Sequence, residues 1–438
     1  MVVLSFVVAL VSMVIWKNLP HIKARGAKDQ SWPYHIENDI FSEEELANLQ
    51  SLLRSSEFVS TTSAYSEARV EDIGEREPLV NGKCSSSYLI PNKNRTACIL
   101  PERFDVAFHQ FISGGIDSLK EKTEVTTSRL IINQKYFHAN LGETEIPAVK
   151  QLFNSESYRK QAKVICEMQS NEKSPILDPM MLALIIALPG QMVAMHYDLP
   201  WFYGADRWDF PGWFLVAMHS SGLFDDIRIP QVQGVAYLHT FNTTKDNKRG
   251  GFYFFPNGTG GSYLVHDAVK NSAVVCDGTR MVHGTQTFQK EVTPPPLKKD
   301  SKYGIRYIGE EQWEFFEYSR VDDTKTTIRI YDESDLRITL VWRQRCFRDE
   351  TELNRFRDRD LSKRLDIHEV MDKMVSHLIS TAKLASRPRR PVDVALALIT
   401  HYTRYPFSPD YILPYNYCIL EYVLPEKLSA VVMKWLNC

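Results

Sequence analysis

From about Leu182 to Phe288 the chain is cut into short apolar or alternating runs by Gly, Pro, Asn and Asp. That texture fits an all-β sandwich or barrel far better than helices, because each run is long enough for a strand and too short for a stable helix. The runs fall near residues 182–188, 191–197, 213–219, 233–240, 251–255, 262–266, 272–276 and 279–284, and a further strand is expected at 336–343 (LRITLVWR). This is a jelly-roll-like set. Residues 289–330 interrupt it with Thr-Pro-Pro-Pro and Lys-Lys-Asp, and they are expected to form an insertion, since proline cannot donate to a ladder.

The flanks read differently, so the expected class is α+β. Ser42 with Glu45 forms a capping box, Phe41 and Leu46 stand at staple positions, and Leu46, Leu49, Leu52 and Leu53 follow with helical spacing, which predicts a helix over 42–55. Further helices are expected around 103–119 and 148–170, with an irregular loop over 60–100. After residue 345, Ile367, Val370, Met371, Met374, Val375, Leu378 and Ile379 make one apolar face of an amphipathic helix. The expected organisation is an anchor at 1–16, a linker at 17–31, a helical lead-in at 32–175, a β domain at 176–345 containing the insertion, and a C-terminal helical region at 346–438.

The balance of 52 Lys and Arg against 54 Asp and Glu provides no basic field, so nucleic acid is not an expected partner. Residues 1–16 are apolar and uncharged, reaching ~24 Å as a helix, and read as a single-pass anchor in the endoplasmic reticulum or a related endomembrane. Lys17, Lys23, Arg25 and Lys28 follow it and favour a cytoplasmic body. Glycosylation sequons at Asn94, Asn242 and Asn257 favour the other side, although about two are expected by chance, so the sidedness stays open. There are seven cysteines and no CxxC pair; Cys84 and Cys98 bracket a polar loop, and spacing alone does not decide whether they are bridged.

The chemistry centres on His196-Tyr197-Asp198. Residues two apart in extended chain project the same way, so the imidazole and the carboxylate share a face. Alone the triplet is weak, since a chain of this make-up yields on the order of 0.7 by chance. Its context is ALPGQMVAMHYD upstream, then VAYLHTFN, then GGFYFFP, then NSAVVCDGTRMVHGT with His283. A strand bearing HxD and a late strand bearing one more His would bring two imidazoles and a carboxylate together, a facial triad suited to Fe(II) with positions left open. His219, His239 and His266 are expected on strands as ordinary hydrogen-bonding histidines.

With this order of Pro-Gly, HxD, Gly-Gly-aromatic and DG…HG, the sequence resembles the 2-oxoglutarate- and Fe(II)-dependent dioxygenase superfamily, with a flavour of its prolyl 4-hydroxylase-like branch. The resemblance covers about 182–288 and 336–343. It implies a double-stranded β-helix, iron held by His196, Asp198 and His283, and 2-oxoglutarate and O₂ as cosubstrates, with ascorbate as an accompanying reductant. It implies hydroxylation of a protein side chain, lipid or small metabolite near a membrane, with succinate and CO₂ as co-products. An aspartate at the middle position also implies hydroxylation over halogenation. The family's cation for the distal carboxylate of 2-oxoglutarate falls, at its usual spacing, in the Pro-rich segment; Arg337 is the candidate, displaced by the insertion, with Lys290 behind it and Arg343 among the remaining alternatives. The alternatives are a non-catalytic jelly-roll binding domain and a cupin-like metal enzyme that does not use 2-oxoglutarate.

Overall fold

The computed structural model describes residues 31–61, 77–82, 84, 89–92, 94–113, 121–138, 146–170, 174–239, 250–297, 301–319, 324–358, 363–403, 405–406, 420 and 424–436. The expected anchor at 1–16 lies outside the described residues, and among those described no helix is long and apolar enough to cross a membrane.

One antiparallel sheet of ten strands runs in the order Tyr34–Asn38, Ser272–Cys276, Gln231–Tyr237, Arg337–Phe347, Ile176–Ala187, Ile132–His138, Glu57–Thr61, Lys302–Gly309, Gln312–Tyr318 and Lys325–Asp332. A smaller sheet orders Leu264–His266, Phe252–Phe254 and His283–Thr285. Val235, Tyr237, Val274, Cys276 and Val341 of the large sheet pack with Phe252 and Phe254 of the small one, so the two sheets enclose an apolar interior. The other face of the large sheet is covered by the helices Glu43–Ser55 and Glu156–Ser170, with Leu49, Leu53, Ile165, Leu184, Leu340 and Trp342 in one core. Burying a side chain of that size stabilises by roughly 1.5–3 kcal/mol.

The expected helix at 42–55 is present with its capping box: Glu45 N–H donates to Ser42 Oγ, and Ser42 N–H donates to the Glu45 carboxylate. The apolar face of 367–379 is also present, with Val370, Met374, Val375 and Leu378 buried. Three expectations are corrected. Residues 213–219 are helix, Gly212–Ser221, and not strand: Gly212 to Met218 are all buried, so the segment is apolar all round and shows no period. His219 accordingly lies on that helix rather than on a strand. Trp213, Phe214, Leu215, Ala217 and Met218 of the helix form a second core with Phe104, Leu378 and Leu398, which docks the C-terminal helices onto the β domain. The expected insertion at 289–330 is largely sheet, since its three strands from Lys302 to Asp332 extend the large sheet beyond Glu57–Thr61. Prolines 294–296 end before those strands begin, so they delimit the segment without disrupting it. The lead-in is also less helical than expected, since it contributes three strands to the large sheet.

Two disulfides are present among the described residues. Cys84–Cys98 closes a short loop, and Cys166–Cys346 ties helix Glu156–Ser170 to strand Arg337–Phe347 across 180 residues. Closing a loop that long contributes on the order of 5 kcal/mol in the chain-entropy account. Cys276 is the free cysteine among the described residues.

Candidate metal centre

Pro189 and Gly190 turn the chain from the large sheet into the small one. Gly190 has φ +88, and a Cβ there would meet the Val292 carbonyl at 2.3 Å, so only glycine fits the turn. Arg129 clamps it by donating to the carbonyls of Gly190 (3.0 Å) and Val292 (2.9 Å). Beyond the turn, residues 193–196 run along strand His283–Thr285: Thr285 N–H donates to Val193, and His196 and His283 exchange backbone hydrogen bonds of 2.8 and 3.0 Å. The two histidines are thus direct cross-strand partners, with ring centroids 4.3 Å apart. Asp198 N–H donates to the Gly278 carbonyl at 2.8 Å, which fixes the third ligand.

His196, Asp198 and His283 converge, with ligand atoms all within 4.8 Å of one another. The Nε2 atoms of His196 and His283 lie 3.5 and 3.8 Å from the same Asp198 oxygen. With metal–ligand bonds of about 2.1 Å, donors at right angles sit ~3 Å apart, so each imidazole–carboxylate pair needs under about 1 Å of closure on an ion and the widest separation in the set up to about 2 Å. Each ring's Nδ1 hydrogen-bonds a backbone carbonyl at 2.8 Å, Ala194 for His196 and Met281 for His283. Nδ1 must therefore carry the proton and Nε2 presents its lone pair.

Electrostatics favour the ligating forms. Burial, with His196 adding to it, pushes the His283 imidazole down to about 3, so it is neutral. Burial opposes ionisation of Asp198, yet the Arg343 guanidinium and the two imidazoles hold its carboxyl well below the usual range. Arg343 donates directly to Asp198, and its Nε reaches Gln233 Oε1 at 3.4 Å. The Gln233 amide nitrogen in turn lies 3.2 Å from His283 Nε2.

Gly278 completes the centre. A Cβ on it would fall 2.1 Å from Asp198 Oδ2 and 2.3 Å from Gln233 Nε2. Gly278→Ala must therefore displace the carboxylate or the amide, and the expected result is a loss of metal affinity of at least ~10-fold with the fold retained, checked by ferrous-iron titration beside circular dichroism.

Arg337 lies deeper between the sheets on the strand that carries Arg343, and it is 1% exposed. Its Nε donates to the Gly250 carbonyl at 2.6 Å and its Nη2 to the Tyr237 hydroxyl at 3.3 Å. Among the described residues no carboxylate lies within ion-pair distance of it. Lys290, by contrast, is on an exposed turn and does not enter the interior. Of the other histidines, His239 bonds the Ile338 backbone and His266 bonds Ser272 Oγ, as expected of ordinary hydrogen-bonders. The aromatic run after HxD is mixed: Trp213 is buried in the second core, Trp201 faces Arg345, and Trp208 is exposed. Gln233 and Gly278 are absent from the residues that the sequence offers as ligands or cofactor contacts, and Arg343, a lesser candidate there for the 2-oxoglutarate cation, instead donates to the ligand Asp198. Gly278 alone carried a signal, as the glycine of the DG pair.

No family model matches the chain, and no curated protein matches it. Among solved structures it is similar to a Pseudomonas putida prolyl-4-hydroxylase, at 9% identity and a TM-score of 0.30, over 72% of this chain and 93% of that one. A viral collagen prolyl hydroxylase from Paramecium bursaria Chlorella virus-1 gives 9% identity and a TM-score of 0.27, over 71% and 95% of the chains. The non-heme alpha-ketoglutarate-dependent epimerase SnoN of nogalamycin biosynthesis gives 10% and 0.30, over 73% and 79%. Likenesses this distant carry no weight for activity. The chemistry rests on the triad.

Proposed function

We propose that this protein is an Fe(II)- and 2-oxoglutarate-dependent oxygenase, and that it acts as a hydroxylase on a double-stranded β-helix. The observation that carries the reading is the convergence of two imidazoles, each with Nδ1 bonded to a backbone carbonyl and Nε2 turned to the centre, on one buried carboxylate. That donor set leaves a divalent iron with residual positive charge and open positions on one face. The alternating crossing of strands between the large and small sheets around residues 176–347 is the arrangement that a double-stranded β-helix requires.

When bound, iron with 2-oxoglutarate supplies dioxygen-driven oxidation of a substrate C–H bond, with succinate and CO₂ as co-products. The chain's own residues supply the rest. His196, Asp198 and His283 would hold the iron. Arg343 keeps Asp198 ionised and oriented, and Gly278 leaves the space in which that carboxylate sits. Arg337 and the Tyr237 hydroxyl would take the distal carboxylate of 2-oxoglutarate, because a buried guanidinium bonded to neutral groups is a ready anion site. The expected substrate is a protein side chain, lipid or small metabolite near a membrane, the last by way of the apolar segment at residues 1–16.

Anaerobic calorimetry tests the binding half of the proposal. The expected result is one Fe(II) per chain and 2-oxoglutarate affinity that appears only with the metal present. Tight 2-oxoglutarate binding without metal, or none with it, contradicts the chelated arrangement.

A further inference from the structure

We propose that the body of this protein resides in an oxidising compartment and carries N-linked glycans on Asn94 and Asn257. The inference is independent of the oxygenase reading, because it uses neither the triad nor Arg337. Two observations converge on it.

The first is the pair of disulfides. Their Cα–Cα distances of 5.7 and 5.9 Å lie in the range a bridge requires, and both link segments that other contacts already hold together. Cys98 sits on strand Cys98–Ile99, paired with Ile90–Pro91, and Cys346 sits on the central strand that pairs on both sides. Bridges of this kind persist where thiols are not kept reduced, as in the endoplasmic reticulum lumen and beyond. Each bridge forms as two thiols lose two protons and two electrons to a disulfide-exchange oxidant of that compartment.

The second observation concerns the sequons. Asn94-Arg95-Thr96 lies in an exposed turn of the loop that the Cys84–Cys98 bridge closes, and Asn94, Arg95 and Thr96 are all exposed. Asn257-Gly258-Thr259 follows strand Phe252–Phe254 in a second turn, and Asn257 is exposed although its neighbours Phe255 and Pro256 are buried. Chance sequons need not fall on surface turns, yet both of those among the described residues do. Asn242 lies outside the described residues. In the transfer, a lipid-linked oligosaccharyl diphosphate is the donor. The Asn Nδ2–C1 bond forms, the C1–O bond to phosphate breaks, the lipid diphosphate leaves and the amide gives up one proton.

Positive charges after residue 16 argue for the opposite side. The bridges bear on the redox environment of the folded body itself, whereas the flanking charges bear only on how the segment inserts, so the bridges take precedence. The test is expression of the full chain in a eukaryotic cell, with digestion of the extract by a peptide N-glycosidase and with thiol alkylation before and after reduction. On an Asn242→Gln background, the expected result is a mobility shift of two steps on digestion. Asn94→Gln and Asn257→Gln should each abolish one step and leave the protein folded. Cys84, Cys98, Cys166 and Cys346 should be alkylated only after reduction. No shift together with free alkylation of these four overturns the proposal; a missing single step overturns that acceptor, and free thiols beside intact glycans overturn the argument from the bridges.

Discussion

His283→Ala is expected to leave a folded protein that neither retains ferrous iron nor forms succinate, with metal affinity reduced by more than ~10²-fold. The estimate follows from the geometry. Groups that merely orient a metal-bound histidine are worth about 10–100-fold in affinity, and His283 is one of three direct ligands. The fold should tolerate the change, because His283 makes its side-chain hydrogen bond to the nearby Met281 carbonyl and the strand is held by backbone pairing to Phe254 and His196. A loss of about 1–3 kcal/mol of stability is the expected cost of the buried cavity and the orphaned carbonyl. His196→Ala should behave alike. A His283→Ala protein that bound iron as wild type does would remove His283 from the centre.

The second large effect is expected at Arg337. Its guanidinium is buried, and its hydrogen bonds to Gly250 and Tyr237 are to neutral groups, so a carboxylate entering there gains a charge-assisted partner already desolvated. Losing one member of such a pair costs about 2–4 kcal/mol, or roughly 30- to 10³-fold. Arg337→Ala should therefore raise the KM for 2-oxoglutarate by that factor, with iron affinity unchanged and with succinate formation recovering toward wild type at saturating cosubstrate. Arg337→Lys should recover part of the affinity, since the charge returns without the fork. Normal 2-oxoglutarate affinity in Arg337→Ala would transfer the role elsewhere.

The triad was legible because its signal is local. Spacing of two puts His196 and Asp198 on one side of extended chain, and the strand texture supplies the partner for His283. Arg337 was legible only as a candidate, an arginine opening an apolar run downstream of the prolines, and the structure adds that it is buried. The contacts of Arg343 and Gln233 with Asp198 and His283 were not legible, since they arise only through pairing of residues 110 apart, Arg343 opposite Gln233. The bridge Cys166–Cys346 carries no local signal for the same reason, since it spans 180 residues. Helix Gly212–Ser221 was misread because WFLVAMH is apolar throughout and a run buried on all sides carries no period. Strands from Lys302 to Asp332 were missed because the prolines before them were taken to mark the whole segment. These strands lie at the far edge of the large sheet, away from the centre, so the error cost the architecture and not the site.

The central claim is that this chain couples iron to 2-oxoglutarate oxidation. Succinate formation by residues 30–438 with Fe(II), ascorbate, 2-oxoglutarate and air, in the absence of any primary substrate, tests it most directly. The account predicts slow succinate release that requires O₂ and disappears in His196→Ala. Iron-loaded, folded protein that binds 2-oxoglutarate yet forms no more succinate than that variant, with and without ascorbate, would contradict it.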